Sequence, residues 1–171
     1  MLFRSVMPCY PPWKNNMHIG FTGTRQGMSL AQFDQLSLLL KTFIQEEKSS
    51  LHFGLCIGAD CEAAEVAFEL GYNIIAHPGY FPKNPSWRGS RGSFQHSHTI
   101  LEEKPFLTRD QDIVNASSIL IATPAQETEQ RRSGTWATIR YGRKKPDMTV
   151  IVINPDGSLV CEDDHAKSKN N

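Results

Sequence analysis

Ser118-Ile-Leu-Ile-Ala-Thr-Pro124 and, after a polar stretch, Arg131-Arg-Ser-Gly-Thr-Trp-Ala-Thr-Ile-Arg140 decide the fold. Ile119 to Ala122 is apolar at every position and reads as a buried strand that stops at Pro124. Ser133 and Gly134 then open a helical pattern that runs through Ile139 and Tyr141. A helix start beside the carboxyl end of a parallel strand offers unpaired backbone N–H groups and a positive dipole end, a place for an anion and most often a phosphate. Ser133 or Thr135 adds a hydroxyl, Arg131 and Arg132 add charge, and Trp136 offers a flat surface for a base or ribose. An ordinary helix cap with a core tryptophan fits the same residues.

Outward from this segment, the chain alternates strand and helix. His18 to Thr22 predicts a strand, with the turn Gly23-Thr-Arg-Gln-Gly27 behind it. Ser29 caps the next helix with Gln32 at the capping-box position, and Leu30, Phe33, Leu36, Leu40, Phe43 and Ile44 give that helix an apolar face. Leu51 to Cys56 predicts the second strand, ending at Ile57-Gly-Ala-Asp60. A helix over 60–70 follows, stopped by Gly71, and Tyr72 to Ala76 predicts the third strand, closed by His77-Pro78. A short helix from Thr108 to Asn115 leads into the central strand, and a last strand is expected over Thr149–Ile153, before the turn Asn154-Pro-Asp-Gly157. Strand–helix order with short turns argues for an α/β domain, a mostly parallel sheet of about five strands between helices.

Between Pro78 and about Pro105 no periodicity holds. From His77 to Ile100 the residues include Lys83, Arg88, Arg91 and three histidines but no acid, with Tyr80, Phe81, Trp87 and Phe94 interleaved. A long connection of this kind is usually functional. It reads as a loop folding over an anionic, partly aromatic ligand, or as a surface excursion packed on the body.

The 171 residues hold 18 Lys and Arg against 18 Asp and Glu. With no global field, nucleic acid is not the expected partner, and any anion site must be local. No apolar run approaches the roughly 20 residues of a bilayer span. Residues 1–16 lack a signal-peptide core and are expected to form an irregular arm. The folded unit is expected over 17–157 and a polar tail over 158–171. The four cysteines lack zinc-ligand pairing, so reduced thiols in a cytoplasmic protein are expected, with no metal and no cofactor beyond a nucleotide-type ligand.

In an open parallel sheet, ligands bind outside the carboxyl ends of the strands. Every candidate group lies at such an end: Gly23, Thr24 and Arg25; Gly58, Ala59 and Asp60; His77; Thr123; and Arg132, Ser133, Gly134, Thr135 and Trp136. The amides after Gly23 and Gly134 can hold phosphate oxygens, and Arg25 can pair with phosphate in a fork. Asp60 accepts ribose hydroxyls or caps its own helix. Arg109 and Asp112 lie about one turn apart, reaching the cleft or forming an exposed ion pair.

Gly23-Thr-Arg25, the Gly58-Ala-Asp60 turn, Thr108-Arg-Asp-Gln-Asp-Ile-Val114 and Ser133-Gly-Thr-Trp136 together resemble the SLOG superfamily, Rossmann-like domains related to the LOG phosphoribohydrolases and to the DNA-processing protein A family. The resemblance spans residues 18–155 and implies a single Rossmann-like three-layer domain with a nucleotide or nucleotide-derived ligand. In the hydrolase branch, a Pro-Gly-Gly-x-Gly-Thr-x-x-Glu motif binds phosphate and supplies a catalytic carboxylate. Gly134 and Thr135 match it, but Arg131 and Arg132 replace the glycine pair and Thr138 holds the glutamate position. A hydroxyl cannot do a carboxylate's work at an oxocarbenium-like centre, which argues against hydrolysis by that route.

The resemblance thus implies a sensor or sequestering protein for an ADP-ribose-like or cyclic nucleotide signal, with phage–bacteria conflict as one setting, and self-association as a homo-oligomer. The alternative is a nucleotide hydrolase acting on an N-glycosidic or phosphodiester bond, with Asp60, Asp112 or His77 as acid or base. Single-stranded DNA binding is a third reading.

Overall fold

The apolar run after Ser118 forms β7 (Ile119–Thr123), buried at all five positions. Its side chains alternate between two cores. Ile119 and Ile121 join one cluster, Leu120 and Ala122 the other, and β8 (Thr149–Ile153) divides in the same way. A strand covered on both faces needs apolar residues at every position, which is why the run looked continuous in sequence. The computed structural model describes residues 17–44, 49–87 and 90–163. The arm expected over 1–16 and the last residues of the expected tail lie outside the described residues.

Before β7 the chain forms β1 (Met17–Gly23), α1 (Leu30–Phe43), β2 (Ser49–Phe53), α2 (Ala59–Glu69), β3 (Asn73–Ala76), three two-residue strands and α3 (Phe106–Ala116). The short strands are β4 (Gly79–Tyr80), β5 (Thr99–Ile100) and β6 (Lys104–Pro105). After β7 come α4 (Gly134–Lys144), β8 and β9 (Leu159–Asp163). The main sheet runs β5-β3-β2-β1-β7-β8-β9, parallel except for β9, while β4 and β6 pair separately. Leu36, Leu39, Leu40 and Phe43 of α1 and Ala63, Ala64 and Ala67 of α2 cover one face. Val114 of α3 and Trp136 and Ile139 of α4 cover the other. The result is the expected three-layer α/β domain.

The sheet has seven strands rather than about five. Both additions are edges. β5 is two exposed residues hydrogen-bonded beside β3, too short to show a period. β9 is the return arm of a hairpin, paired antiparallel with β8 through five registered positions after the turn closed by Gly157 (φ +86°). Residues 159–163, taken with the polar tail, are therefore strand; an edge strand open to solvent tolerates Glu162 and Asp163. Cys56 and Cys61 are free thiols, but Cys161 is disulfide-bonded, so the expectation of four reduced cysteines fails there.

Strand order reverses at β1, with β2 and β3 to one side and β7 and β8 to the other. That switch opens a crevice at the carboxyl ends of β1 and β7. Gln32 fixes its rim. The capping box forms as read, with Gln32 N donating to Ser29 Oγ (3.1 Å) and Ser29 N to Gln32 Oε1 (3.0 Å). The same side chain, 2 % exposed, also donates Nε2 to the carbonyls of Pro124 and Ile153, both at 2.9 Å, joining α1 to the ends of β7 and β8. Gln32→Glu keeps the acceptor and sets a carboxylate against two carbonyls. It is expected to cost about 2–3 kcal/mol in urea unfolding with an unchanged m-value, because two buried acceptors lose their donor.

Candidate functional site

The crevice is a cavity of about 1150 Å³. Four of the expected corners line it: Gly23, Thr24 and Arg25 after β1, Asp60 on α2, Arg109 on α3, and Arg132 to Trp136 at the start of α4. Gly58, Ala59, His77, Asp112 and Thr123 are not part of its wall.

The glycines divide by what they approach. A Cβ on Gly23 would lie 2.4 Å from Thr123 Oγ1 and 2.5 Å from Ala59 Cβ, and one on Gly58 (φ +79°) would lie 2.3 Å from the Arg25 carbonyl oxygen. Ala59 N also donates to the Thr24 carbonyl at 3.0 Å. The β1 turn therefore lies directly on the loop before α2. Gly58, Ala59 and Thr123, expected among the ligand contacts, pack at this turn and lie outside the cavity wall. Gly134 is the opposite case, with nothing within 4 Å of the Cβ it lacks. It opens α4, whose N-cap Ser133 accepts from Trp136 N at 3.3 Å. Among the described residues no group accepts from the amides of Gly134 and Thr135. Trp136, 5 % exposed, lines the cavity from within the second core and carries Arg143 over its ring at 5.9 Å.

Arg109 was expected to reach the cleft or to pair with Asp112. It reaches the cavity wall, 5 % exposed, but with its hydrogen bonds already committed to the protein. Nε donates to Asp110 Oδ1 (2.7 Å), and Nη1 donates to the carbonyls of His77 (3.0 Å) and Gly54. Asp112 faces away and pairs with Lys104 at 2.5 Å. Asp60 does not cap α2, whose N-cap is Gly58. Its Oδ2 accepts from the amides of Gly54 (3.1 Å) and Cys56 (3.2 Å), and burial raises its pKa to about 6 against the pull of Arg109.

His77 lies beneath α3, outside the cavity. Its Nε2 is 2.9 Å from His52 Nδ1, and His52 Nε2 is 3.1 Å from His18 Nδ1, a chain of three rings. Burial lowers His77 to about 4 and His52 to about 3, so both are neutral at pH 7. As the acid or base of a cleft reaction, His77 has no access from this position.

Sequence reasoning missed Asp110 and Phe106. Adjacent helix positions do not normally face one another, so Arg109 was matched one turn ahead with Asp112. Past the first turn of α3, however, Asp110 is buried, bonded to Arg109 and hydrogen-bonded to Thr138, with its pKa raised by burial. Phe106 carries both Arg109 (5.3 Å) and Arg25 (5.9 Å) over its ring. The aromatic loop does border the cavity, through Phe81, Lys83, Asn84 and Trp87, and Trp87 meets the Arg25 guanidinium at 6.0 Å. Among the described residues, no group of three or more His, Cys, Asp or Glu is placed to hold a metal ion, and no helix is long and apolar enough to cross a membrane.

No family model matches this chain, and no curated protein matches it by sequence. Solved structures do. A molybdenum cofactor binding protein from Rippkaea orientalis aligns over 90 % of this chain and 81 % of its own, at 18 % identity and TM-score 0.55. DNA processing protein A from Streptococcus pneumoniae aligns over 80 % of this chain at 18 % identity and TM-score 0.52, and the chain spans 50 % of that protein. The structural-genomics target TM1055 aligns over 73 % of this chain and 67 % of its own, at 9 % identity and TM-score 0.50. These likenesses, all at 18 % identity or less, show the fold: the expected Rossmann-like α/β domain is the observed one.

The depressed histidines set a pH dependence. Unfolded imidazoles take up protons below about pH 6.5, while folded His77 and His52 do not until about pH 4 and 3. Their contribution to stability is therefore complete above pH 6.5 and is lost as pH falls. Asp60, protonated in the folded state from about pH 6, opposes this over the lower part of the range. His52→Gln is expected to lose less stability than wild type between pH 7 and pH 5 in urea titrations. An equal loss in both proteins would dismiss the histidine chain as its source.

Proposed function

We propose that the chain binds a nucleotide or nucleotide-derived signal, ADP-ribose-like or cyclic, in the cavity at the carboxyl edge of the sheet, as a sensor or sequestering protein. The observation that carries this reading is the α4 start. Two first-turn amides with no acceptor among the described residues, an N-cap hydroxyl, exposed Arg132 and an empty space over Gly134 all border one cavity whose other walls hold Trp87, Phe81, Phe106 and Trp136. Backbone donors at a helix N-terminus suit phosphate, and the aromatic walls suit a base. The volume is ample for a nucleotide.

Homo-oligomer formation and a place in phage–bacteria conflict belong to the same proposal and rest on the SLOG likeness, while a cytoplasmic setting rests on the free thiols of Cys56 and Cys61. The likeness to a cofactor-binding protein supports small-ligand binding in general. The fold is also that of a DNA processing protein, and the Arg25–Trp87 stack beside Lys83 favours a second reading, in which the mouth takes a single-stranded nucleic-acid end by stacking. Hydrolysis stays the weaker alternative. Thr138 is 1 % exposed and donates to the Gly134 carbonyl at 2.9 Å, so it presents no acid or base to a ligand.

Mass spectrometry of small molecules released by denaturing the purified protein tests the proposal: an intact nucleotide supports binding, cleaved products support turnover. Oligonucleotides whose affinity falls steeply with salt would instead support the nucleic-acid reading. Gly134→Asp gives a sharper check. The new carboxylate projects into open space at a helix N-terminus, so it is expected to hold or raise the melting temperature while abolishing nucleotide binding by taking the anion's place. Calorimetric titration showing undiminished affinity in this variant would place the phosphate elsewhere.

A further inference from the structure

The cavity is bipolar. Its mouth is cationic, with the exposed side chains of Arg25, Lys83 and Arg132 beside the α4 amides. Its floor is not. Asp60 and Asp110, 6 % and 8 % exposed, flank one buried guanidinium, that of Arg109. That guanidinium is already engaged by Asp110 Oδ1 and by the carbonyls of Gly54 and His77, with Nη2 facing Cys56 Sγ at 3.7 Å. A ligand anion reaching the floor finds no uncommitted cation and two carboxylates.

The acceptors there are only partly used. Asp60 Oδ2 takes the amides of Gly54 and Cys56, while among the described residues nothing donates to Oδ1. That oxygen is open to the cavity that Asp60 lines, so a ligand that brings hydrogens to it takes the place of water there. From this geometry we infer that the ligand enters donor end first: Asp60 and Asp110 receive the hydrogens of a vicinal diol or an amino-bearing base edge, and the phosphate remains at the mouth on the α4 amides and Arg132. This rests on the nucleotide reading above and adds its orientation and the part of the ligand that confers selectivity.

A proton follows the ligand. Burial holds Asp60 protonated up to about pH 6. The charged groups around it are Arg109 and Asp110 from α3, with the neutral thiols of Cys56 and Cys61 beside it. Donors from the ligand favour the ionised carboxylate, so binding releases the proton, and affinity rises as pH climbs to about 6 and then levels.

The test uses the tightest binder among the four ribonucleoside 5′-monophosphates and ADP-ribose, with inorganic phosphate as the reference probe. Each is measured calorimetrically on wild type, Asp60→Asn and Asp110→Asn. Both substitutions are expected to weaken the nucleotide at least about tenfold, the loss of one hydrogen bond to a charged group, and to leave inorganic phosphate nearly unchanged. Retained phosphate binding also shows that each variant is folded. Two ligand analogues separate the sources of the donors. The 2′,3′-dideoxy nucleotide is weakened if the diol reaches the floor, and the deamino-base nucleotide is weakened if the base does. On wild type, the affinity ratio of the intact nucleotide to the weakened analogue should rise between pH 5 and pH 6.5, a ratio in which the phosphate's own titration cancels. Full affinity in both variants and for both analogues overturns the orientation and leaves the nucleotide reading standing. Failure of every nucleotide to bind overturns both.

Discussion

One buried cation holds the site together. The Arg109 guanidinium binds the last carbonyl region of β2 at Gly54, the carbonyl of His77 beyond β3, and the neighbouring carboxylate Asp110 on its own helix. Three segments distant in sequence thereby meet at one planar group. A desolvated charge is tolerated only when paired and hydrogen-bonded; here Nε and Nη1 reach oxygens and Nη2 reaches Cys56 Sγ. The arrangement also explains the glycines beside it. A Cβ at Gly54 would stand 2.6 Å from Nη1, and one at Gly79 would stand 3.1 Å from Cζ. Gly54 is bare because the arginine passes through it; at Gly79 the Phe106 ring stands closer still, with Cδ1 at 2.6 Å.

The second half of the site depends on the first. Asp110, fixed by Arg109, contacts the Thr138 hydroxyl, and Thr138 in turn donates to the carbonyl of Gly134 at the head of α4. Arg109 is thus linked through two side chains to the helix start that offers its amides. On the opposite side, Gln32 ties α1 to Pro124 at the end of β7. The crevice is therefore held from both faces of the sheet, leaving α4's first turn little to reorganise when it meets an anion.

Much of this was legible in sequence, and the reason differs by element. α4 and β8 have the bounds expected because each is marked at both ends: Ser133 and the basic last turn for the helix, a run of β-branched residues before Asn154-Pro for the strand. The Ser29–Gln32 capping box formed because its two bonds are local and need nothing from the rest of the chain. What escaped was long-range. Two-residue strands such as β4 and β6 have no period and exist only because they pair with each other. Asp110 looked like one acid among several in Thr108-Arg-Asp-Gln-Asp112; burial against Arg109 and Thr138, which no local pattern encodes, separates it from Asp112 one face away. Gly58 was legible as a tight corner, but that the β1 turn lies against it is a long-range contact that no local pattern encodes.

That distinction bears on how a fold is reused. At Gly23 and Gly58 the missing side chains are explained entirely by protein contacts, so these glycines are demanded by the crossing of two loops whatever the cavity holds. Gly134 has no such demand on it, and neither does the exposed Arg132. Residues that the architecture requires carry no information about a ligand; residues that it leaves free do. By this measure the mouth, with its open glycine, its amides without acceptors and its exposed cations, is where the chain specifies an anion. The floor, with an acceptor oxygen at Asp60 that no described residue fills, is where it specifies the remainder of the molecule that the anion belongs to.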